Sequence, residues 1–594
     1  MTDSPEHPKL PPAMADARSL AAALLAEGVH EVVLCPGSRS APLADALADA
    51  ADAGHLRLRV VLDERSAGFI ALGAARAHAL NGHSRCAAVV TTSGTAVSNL
   101  HPAVSEADAA GVPLLVISAD RPHELVGTGA SQTTEQIGLL AQALRLGVDL
   151  PADLAADLGG CAADAAIAGQ VRRAVVAATG TLSRDPGPVQ INARFRPPLT
   201  AQDAVEGAVL AAPALTSSSA ATAAPAAVPA CAPVVGAGQP AGRGSSTQGR
   251  GIVVAGDTAH RAVGALARSL AEHLDWPLLA EPTSQARSGP QALSRYAELL
   301  GTPAGRALAE QGEHLLVLGH PSLSRSVTAL LGREDLDITV LTERARWTDV
   351  SGRARRVVPI DGPDHEPDDV ALHAARLAAR LGLERADAAW TDSWRRAVAD
   401  LPEPDCSSSA DAVAQAVWEA SLAPGAPTLV VGSSMTVRRL DRLAQPGAVA
   451  PTAVANRGLA GIDGTIATGV GLWMASGEPV RAVMGDLAFL HDAMSLTRGV
   501  REEEADLQVI VIDDGGGAIF SHLEYARTTP SARFERLFTT AQRADIAALA
   551  AALGARVHVP NDVAALRRLL AEPVDGVSVV VWETPTRGPH TVTT

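Results

Sequence analysis

Lysine is almost absent. Of the 49 basic residues in this 594-residue chain, one alone, Lys9, is a lysine, and it sits in a polar N-terminal tail. No lysine is therefore available in a core for Schiff-base chemistry with a carbonyl or a pyridoxal cofactor, and none for a phosphate-binding P-loop. Cysteine is sparse and scattered: Cys35, Cys86, Cys161, Cys231 and Cys406 form no C-x-x-C pair, so neither a zinc site nor a disulfide framework is indicated. The G-x-S-x-G elbow and the H-E-x-x-H helix are missing as well, which removes support for serine-hydrolase and zinc-protease chemistry. The N-terminal region has no charged stretch leading into an apolar run, and no segment reads as a membrane span. A soluble cytoplasmic protein without membrane insertion is expected. Positive charge is short too, 49 basic against 65 acidic residues for a net −16, so nucleic acid is not an expected partner.

What is present is apolar material for several cores: 47% hydrophobic against 19% charged residues. At about 150 residues per domain the length predicts three or four domains. Short runs rich in Val, Ile and Leu alternate with Ala-rich, helix-length stretches, the pattern of doubly wound, mainly parallel α/β sheets. The strand candidates of a first block are Val32–Leu34, Val60–Leu62, Ala87–Val90, Leu114–Ile117 and Val189–Ile191. Those of a second are Ile252–Ala255, Leu315–Leu318, Ile338–Leu341 and Val357–Ile360, and those of a third Thr428–Val431, Val480–Met484, Val509–Ile512 and Val577–Val581. The expected domains are residues 12–200, 251–403 and 404–594, and the first and third are candidates for a shared fold. Residues 201–250, dominated by Ala, Pro, Ser, Thr and Gly, read as a linker or insertion.

The strongest chemical signal lies in the third block. Strand residues run into Gly485-Asp486-Leu487, and after 25 residues a second strand runs into Asp513-Asp514-Gly515-Gly516-Gly517. In an open parallel sheet ligands gather beyond the carboxyl ends of the strands, where both acids would lie. Two such carboxylates suit a hard divalent ion whose other ligands are phosphate, water and a backbone carbonyl, and the glycines let the backbone approach a diphosphate. Either motif alone is also what an ordinary turn contains. In the first block Asp63-Glu64-Arg65-Ser66-Ala67-Gly68 places Glu64 where a strand ends and a helix of small residues begins; alone, it reads equally as an acid favoured by the helix dipole.

Together these features resemble the thiamin-diphosphate-dependent enzymes, whose signature is GDG followed, after a similar interval, by NN. Here Leu487 stands for the last glycine and Asp513-Asp514 for Asn-Asn; aspartate remains an oxygen ligand, so metal binding survives, with more negative charge. Further motifs narrow the resemblance: Cys35-Pro-Gly-Ser38-Arg39-Ser40, Ser118-Ala-Asp-Arg121-Pro, Gly127-Thr-Gly-Ala-Ser-Gln132, Gly432-Ser433-Ser434-Met-Thr-Val-Arg438, and Asn456-Arg457-Gly458 followed by Gly461-Ile462-Asp463-Gly464. In this order they are similar to the menaquinone-pathway 2-succinyl-5-enolpyruvyl-6-hydroxy-3-cyclohexene-1-carboxylate synthase (MenD) family. The likeness spans both outer blocks and is weak in the middle one.

The resemblance implies thiamin diphosphate with Mg²⁺ or Mn²⁺ as cofactors, and 2-oxoglutarate and isochorismate as substrates. Decarboxylation of the first would be followed by Stetter-like conjugate addition to the second. Glu64 is the implied catalytic residue, partner of the aminopyrimidine N1′. Gly432, Ser433, Ile462, Gly485, Asp486, Leu487, Asp514, Gly515, Gly516 and Ile519 are implied around the cofactor, with Asp486, Asp514 and the Gly516 carbonyl on the metal. Ser38, Arg39, Arg121, Gln132, Arg325, Ser434, Arg438, Arg457, Ile519 and Phe520 are implied at the substrates. Guanidinium groups grip carboxylates with two hydrogen bonds and stay charged, which suits two dicarboxylates. A homodimer or a pair of dimers is implied, because related enzymes hold the cofactor between subunits. The alternatives are another thiamin-dependent 2-oxoacid decarboxylase or carboligase, or a non-catalytic α/β protein binding a nucleotide or quinone precursor. The first loses ground because the Ile252–Ile360 region carries no glycine-rich flavin fingerprint.

Overall fold

The structure is a computed structural model that describes residues 10–201, 249–360, 369–404 and 409–584. The stretch 201–250, expected as a linker or insertion, lies outside the described residues except at its ends. The chain divides into two compact units, Met1–Leu72 with Arg85–Pro233, and Gly73–Ser84 with Val234–Thr594.

The first unit is built on a six-stranded sheet of β1 (Glu31–Leu34), β2 (Arg57–Val60), β3 (Ala87–Thr91), β4 (Leu114–Asp120), β5 (Leu146–Leu150) and β6 (Val189–Arg194). Their order is β2-β1-β3-β4-β6-β5, and every pairing is parallel. The interior strands β1, β3, β4 and β6 are buried along their whole length, as an all-parallel sheet covered on both faces requires. This is why β3 and most of β4 read as continuous apolar runs, whereas β6 (VQINAR) buries Gln190, Asn192 and Arg194 as well.

The second unit carries two sheets. One contains β7 (Gly251–Ala255), β8 (Leu278–Ala280), β9 (His314–Leu318), β10 (Asp337–Thr342) and β11 (Arg356–Pro359), in the order β11-β10-β9-β7-β8. The other contains β12 (Thr428–Val431), β13 (Ala453–Val454), β14 (Val480–Gly485), β15 (Leu507–Asp513), β16 (Arg556–His558) and β17 (Val577–Glu583), in the order β13-β12-β14-β15-β17-β16. Counted along the chain, the first and last sheets have the same strand order, so the shared fold expected of the outer blocks is met at the level of topology. The middle sheet follows the same scheme without a sixth strand.

In each sheet the winding direction reverses beside the first strand, and the crevice there is where doubly wound folds take ligands. These crevices open between β1 and β3, and between β12 and β14. Beyond β7 and β9 the corresponding place is closed. Asp257 and His320 pair backbone to backbone there, with N–H···O distances of 3.2 and 2.9 Å. A Cβ on Gly256 would lie 1.9 Å from the Pro321 nitrogen. The two loops are thus in direct contact beyond the middle sheet.

Expected and observed strands differ mainly at sheet edges. The run Val60–Leu62 is not itself the strand: β2 ends at Val60, Leu62 is 77% exposed, and Asp63 caps the following helix by accepting from the Arg65 N–H and the Ser66 hydroxyl, both at 3.0 Å. Strands β5, β13 and β16 carry no strong apolar run, and β8 is an apolar stretch of three residues; none of the four is among the expected strands.

Candidate active site

In the first unit the candidate residues lie on turns beyond the carboxyl ends of the strands. Glu64 is the first residue of the helix Glu64–Leu80, half-buried, with one carboxylate oxygen accepting from Asn99 Nδ2 at 3.1 Å. Cys35, at the end of β1, is close enough to feel it: burial first, then the charges of Glu64 and Asp63, push the thiol far above its ordinary value. Cys35 is buried and packs at the end of β1.

Arg39 and Arg121 come together. Arg39 donates to the Phe195 carbonyl at 2.7 Å; burial and then the neighbouring Arg121 charge lower its pKa, opposed by Asp120. Arg121 donates to Ser93 Oγ at 2.6 Å and to the Gln132 carbonyl at 3.1 Å, with Gln132 Oε1 at 3.4 Å. Ser38 stands exposed on the turn that carries Arg39. Two neighbouring guanidinium groups of this kind form a place for an anion. Beneath them lies a buried polar network that motif reading missed. Asp120 accepts from the Arg121 N–H at 2.7 Å and from Asn192 Nδ2 at 3.0 Å, while Arg194 bridges Asp120, Asp149 and the Arg121 carbonyl. Its members are scattered through the sequence and are joined by the parallel register of β6 with β4 on one side and β5 on the other.

In the second unit Asp486 and Asp514 stand at the ends of the adjacent strands β14 and β15. Asp486 is 5% exposed and opens the helix Asp486–Asp492 directly after Gly485; its carboxylate accepts from the Leu487 N–H at 2.8 Å. Burial, then the negative Asp514, push its pKa up to about 7, against the lowering effect of the Leu487 and Gly516 amides. Asp514 is also raised, by burial, even though Arg439 donates to it at 3.1 Å; Arg439 lies 3.3 Å from Asp411 as well.

Burial raises the proton affinity of both acids, and the Asp514 charge raises that of Asp486 further; a divalent cation relieves both effects, so the donor set fits a hard metal ion. Among the described residues no group of three or more His, Cys, Asp or Glu side chains gathers as a metal cage. A metal here would take its remaining ligands from backbone, water and phosphate, as Mg²⁺ on a diphosphate does. The loop beside the pair suits a phosphate. Gly515 and Gly516 have φ of 76° and 126°, and a Cβ on Gly516 would lie 2.3 Å from the Thr539 carbonyl oxygen, so only glycine fits there. Ile519 and Phe520 follow in a short 3₁₀ turn, with the Phe520 ring 6.0 Å from that of Phe538.

Across the crevice Gly432, Ser433 and Ser434 form the turn after β12. Ser433 donates to the Asn456 carbonyl at 2.8 Å, and Ser434 caps the helix Met435–Leu443. Ile462 sits half-buried in the loop that follows β13. Arg438 and Arg457 converge on one loop: Arg438 donates to the Leu323 carbonyl at 2.6 Å and Arg457 to Ser322 Oγ at 2.8 Å. Burial, then Arg457, lower the Arg438 pKa, with Arg325 adding to the effect. Arg325 itself is 83% exposed and pairs with Glu524 at 2.9 Å, so it sits at the rim. A cavity of about 330 Å³ lies here, with Arg295, Arg325, Arg438 and Arg442 facing Glu298 and Asp441. Arg295 is engaged by Glu298, Arg442 by Asp411 and Arg325 by Glu524, whereas Arg438 donates to a backbone carbonyl.

Glu281, absent from every motif, is the buried acid behind this loop. Burial, then Asp441, push its pKa up to about 8, against the two amides it accepts and Arg457. A raised acid holds its proton in the folded state. Its contribution to stability is full below about 4.5 and is lost as pH rises through about 8. Urea midpoints of the wild type are therefore expected to fall relative to Glu281→Gln between those limits. Parallel midpoints would show that the group ionises freely.

Residues 14–139 match the family model "Thiamine pyrophosphate enzyme, N-terminal TPP binding domain", and residues 431–582 match its C-terminal TPP binding domain counterpart. Three relatives bear the name 2-succinyl-5-enolpyruvyl-6-hydroxy-3-cyclohexene-1-carboxylate synthase. The protein from Kineococcus radiotolerans is 43% identical over 95% of this chain and 94% of its own length. That from Paenarthrobacter aurescens is 40% identical over 95% and 92%, and that from a Nocardioides species 39% over 96% and 94%. With its strand order, its paired acids and its near full-length likeness, the chain belongs to the 2-succinyl-5-enolpyruvyl-6-hydroxy-3-cyclohexene-1-carboxylate synthase family of thiamin-diphosphate enzymes.

Proposed function

We propose that this chain decarboxylates 2-oxoglutarate and joins the remaining four-carbon unit to isochorismate by conjugate addition, giving the synthase product and CO₂ in menaquinone biosynthesis. The observation that carries the reading is the buried Asp486 beside the half-buried Asp514 and a loop that accepts only glycine, together with membership of the family. Thiamin diphosphate, when bound, supplies the nucleophilic carbon and the electron sink for decarboxylation.

The protein's part is to hold and to orient. Asp486, Asp514 and the Gly516 carbonyl are assigned to Mg²⁺ or Mn²⁺. Gly432, Ser433, Gly485, Leu487 and Gly515 are assigned to the diphosphate side of the cofactor, and Ile462 and Ile519 to its apolar walls. Glu64 holds the proton shared with the aminopyrimidine N1′. Arg39 and Arg121, with Ser38 and Gln132, and Arg438 and Arg457, with Ser434 and Arg325, take the substrate carboxylates and hydroxyls; Phe520 closes one side. Correctly placed charges of this kind lower the barrier by orientation and by electrostatic complementarity.

The working unit in this reading is a homodimer or a pair of dimers in the cytoplasm, with Glu64 of one subunit serving the acid pair of its neighbour. The domains are 12–200, 251–403 and 404–594. Among the described residues no helix is long and apolar enough to cross a membrane. Incubation with 2-oxoglutarate, isochorismate, thiamin diphosphate and Mg²⁺ is expected to release CO₂ in step with loss of the ring acid. Release of CO₂ without consumption of isochorismate would reduce the enzyme to a 2-oxoacid decarboxylase.

A further inference from the structure

We propose that Glu281 is a positioning residue, which sets Arg438 and Arg457 for the substrate carboxylates by pinning the Ser322–Leu323 loop. The inference rests on the functional reading above and extends it to a residue outside every motif.

Glu281 is the first residue after β8 and is 2% exposed. One of its carboxyl oxygens accepts the backbone N–H groups of Ser322 at 2.7 Å and Leu323 at 2.8 Å. The same two residues then serve the arginines with their remaining polar atoms: Ser322 Oγ accepts from Arg457 at 2.8 Å, and the Leu323 carbonyl from Arg438 at 2.6 Å. Two residues further on, Arg325 opens the helix Arg325–Leu331. One acid therefore fixes the backbone against which two guanidinium groups take their bearings, and from which a third projects.

Without that acid the two amides lose their acceptor, and the loop is free to turn toward another. Arg438 and Arg457 would then lose the oxygens that aim them. Arg457 is 7% exposed, and its Nε has no hydrogen-bond partner among the described residues, which leaves a buried donor for a ligand. The second carboxyl oxygen of Glu281 likewise has none. Glutamine keeps the acceptor oxygen that the loop uses, whereas alanine removes it.

The test compares the wild type, Glu281→Ala and Glu281→Gln, each loaded with thiamin diphosphate and Mg²⁺. For Glu281→Ala, KM for isochorismate is expected to rise by about ten- to a hundredfold with a much smaller change in kcat, the scale expected when binding groups are misplaced. Calorimetric titration with isochorismate alone, without 2-oxoglutarate, is expected to show the same loss, while affinity for thiamin diphosphate is unchanged. Glu281→Gln should restore both values to near the wild type. Wild-type KM and calorimetric affinity in Glu281→Ala would overturn the role of Glu281, as would loss of thiamin diphosphate binding in both variants, which marks a general structural prop. A wild type that never consumes isochorismate would overturn the functional reading instead.

Discussion

Glutamine in place of Glu64 is expected to abolish turnover while leaving the protein folded. The side chain is half-buried at the start of a helix, and its recorded partner, Asn99 Nδ2, can still donate to the amide oxygen of glutamine. What glutamine cannot do is share a proton with a ring nitrogen. A loss of about 10²–10⁴ in kcat is the scale for removing a proton-transfer group, with circular dichroism, melting temperature and thiamin diphosphate binding unchanged. Near-normal rates would remove Glu64 from the mechanism. The same variant tests the proposed assembly. If Glu64 serves the neighbouring subunit, co-refolding equal amounts of Glu64→Gln and Asp486→Ala chains restores about a quarter of the wild-type activity, because half the dimers are mixed and each mixed dimer holds one intact site. No recovery, in a preparation shown to contain mixed dimers, would place both residues in the site of one subunit.

Alanine at Asp486 is expected to break cofactor retention rather than chemistry alone. Asp486, buried, and Asp514, half-buried, are the acids assigned to the metal, and removing one leaves it with half its side-chain ligands. Losing a group that merely supports a metal ligand costs about 10–100-fold in metal affinity, so losing a ligand costs at least that. Titration of the variant with thiamin diphosphate should become nearly insensitive to Mg²⁺, whereas the wild type loses the cofactor when Mg²⁺ is chelated. Unchanged Mg²⁺-dependent affinity would move the metal elsewhere.

The interior strands were legible because full burial demands continuous Val, Ile and Leu, as in β4 and β15. Edge strands escaped because they need no such run: β13 is two residues long, and β5 mixes Gly147 and Asp149 with its apolar positions. The strand-end motifs were legible for a topological reason, since parallel winding delivers every carboxyl end to one rim, and Glu64, Arg121, Gly432 and Asp486 all follow strands. What the sequence hid is the support beneath them. Glu281 touches residues more than forty positions away, and the Asp120–Asn192–Arg194 network spans more than seventy. Arg439 explains how the chain accommodates Asp513-Asp514 where relatives of the wider family have Asn-Asn: its guanidinium lies against Asp514 and offsets the added charge, although nothing in the MTVRRL run marks it out from Arg438.

Every described strand pairing in the three sheets is parallel, so no two neighbours can be joined by a tight hairpin. Each partner must wait for the intervening helix to be made and swung across, and most native contacts are remote along the chain. Topologies of this kind form slowly and leave sticky strand edges uncovered during synthesis. Recovery of native enzyme from denaturant should therefore depend on dilution and low temperature far more than its final stability would imply, and cells that overproduce it will do best with chaperones in supply.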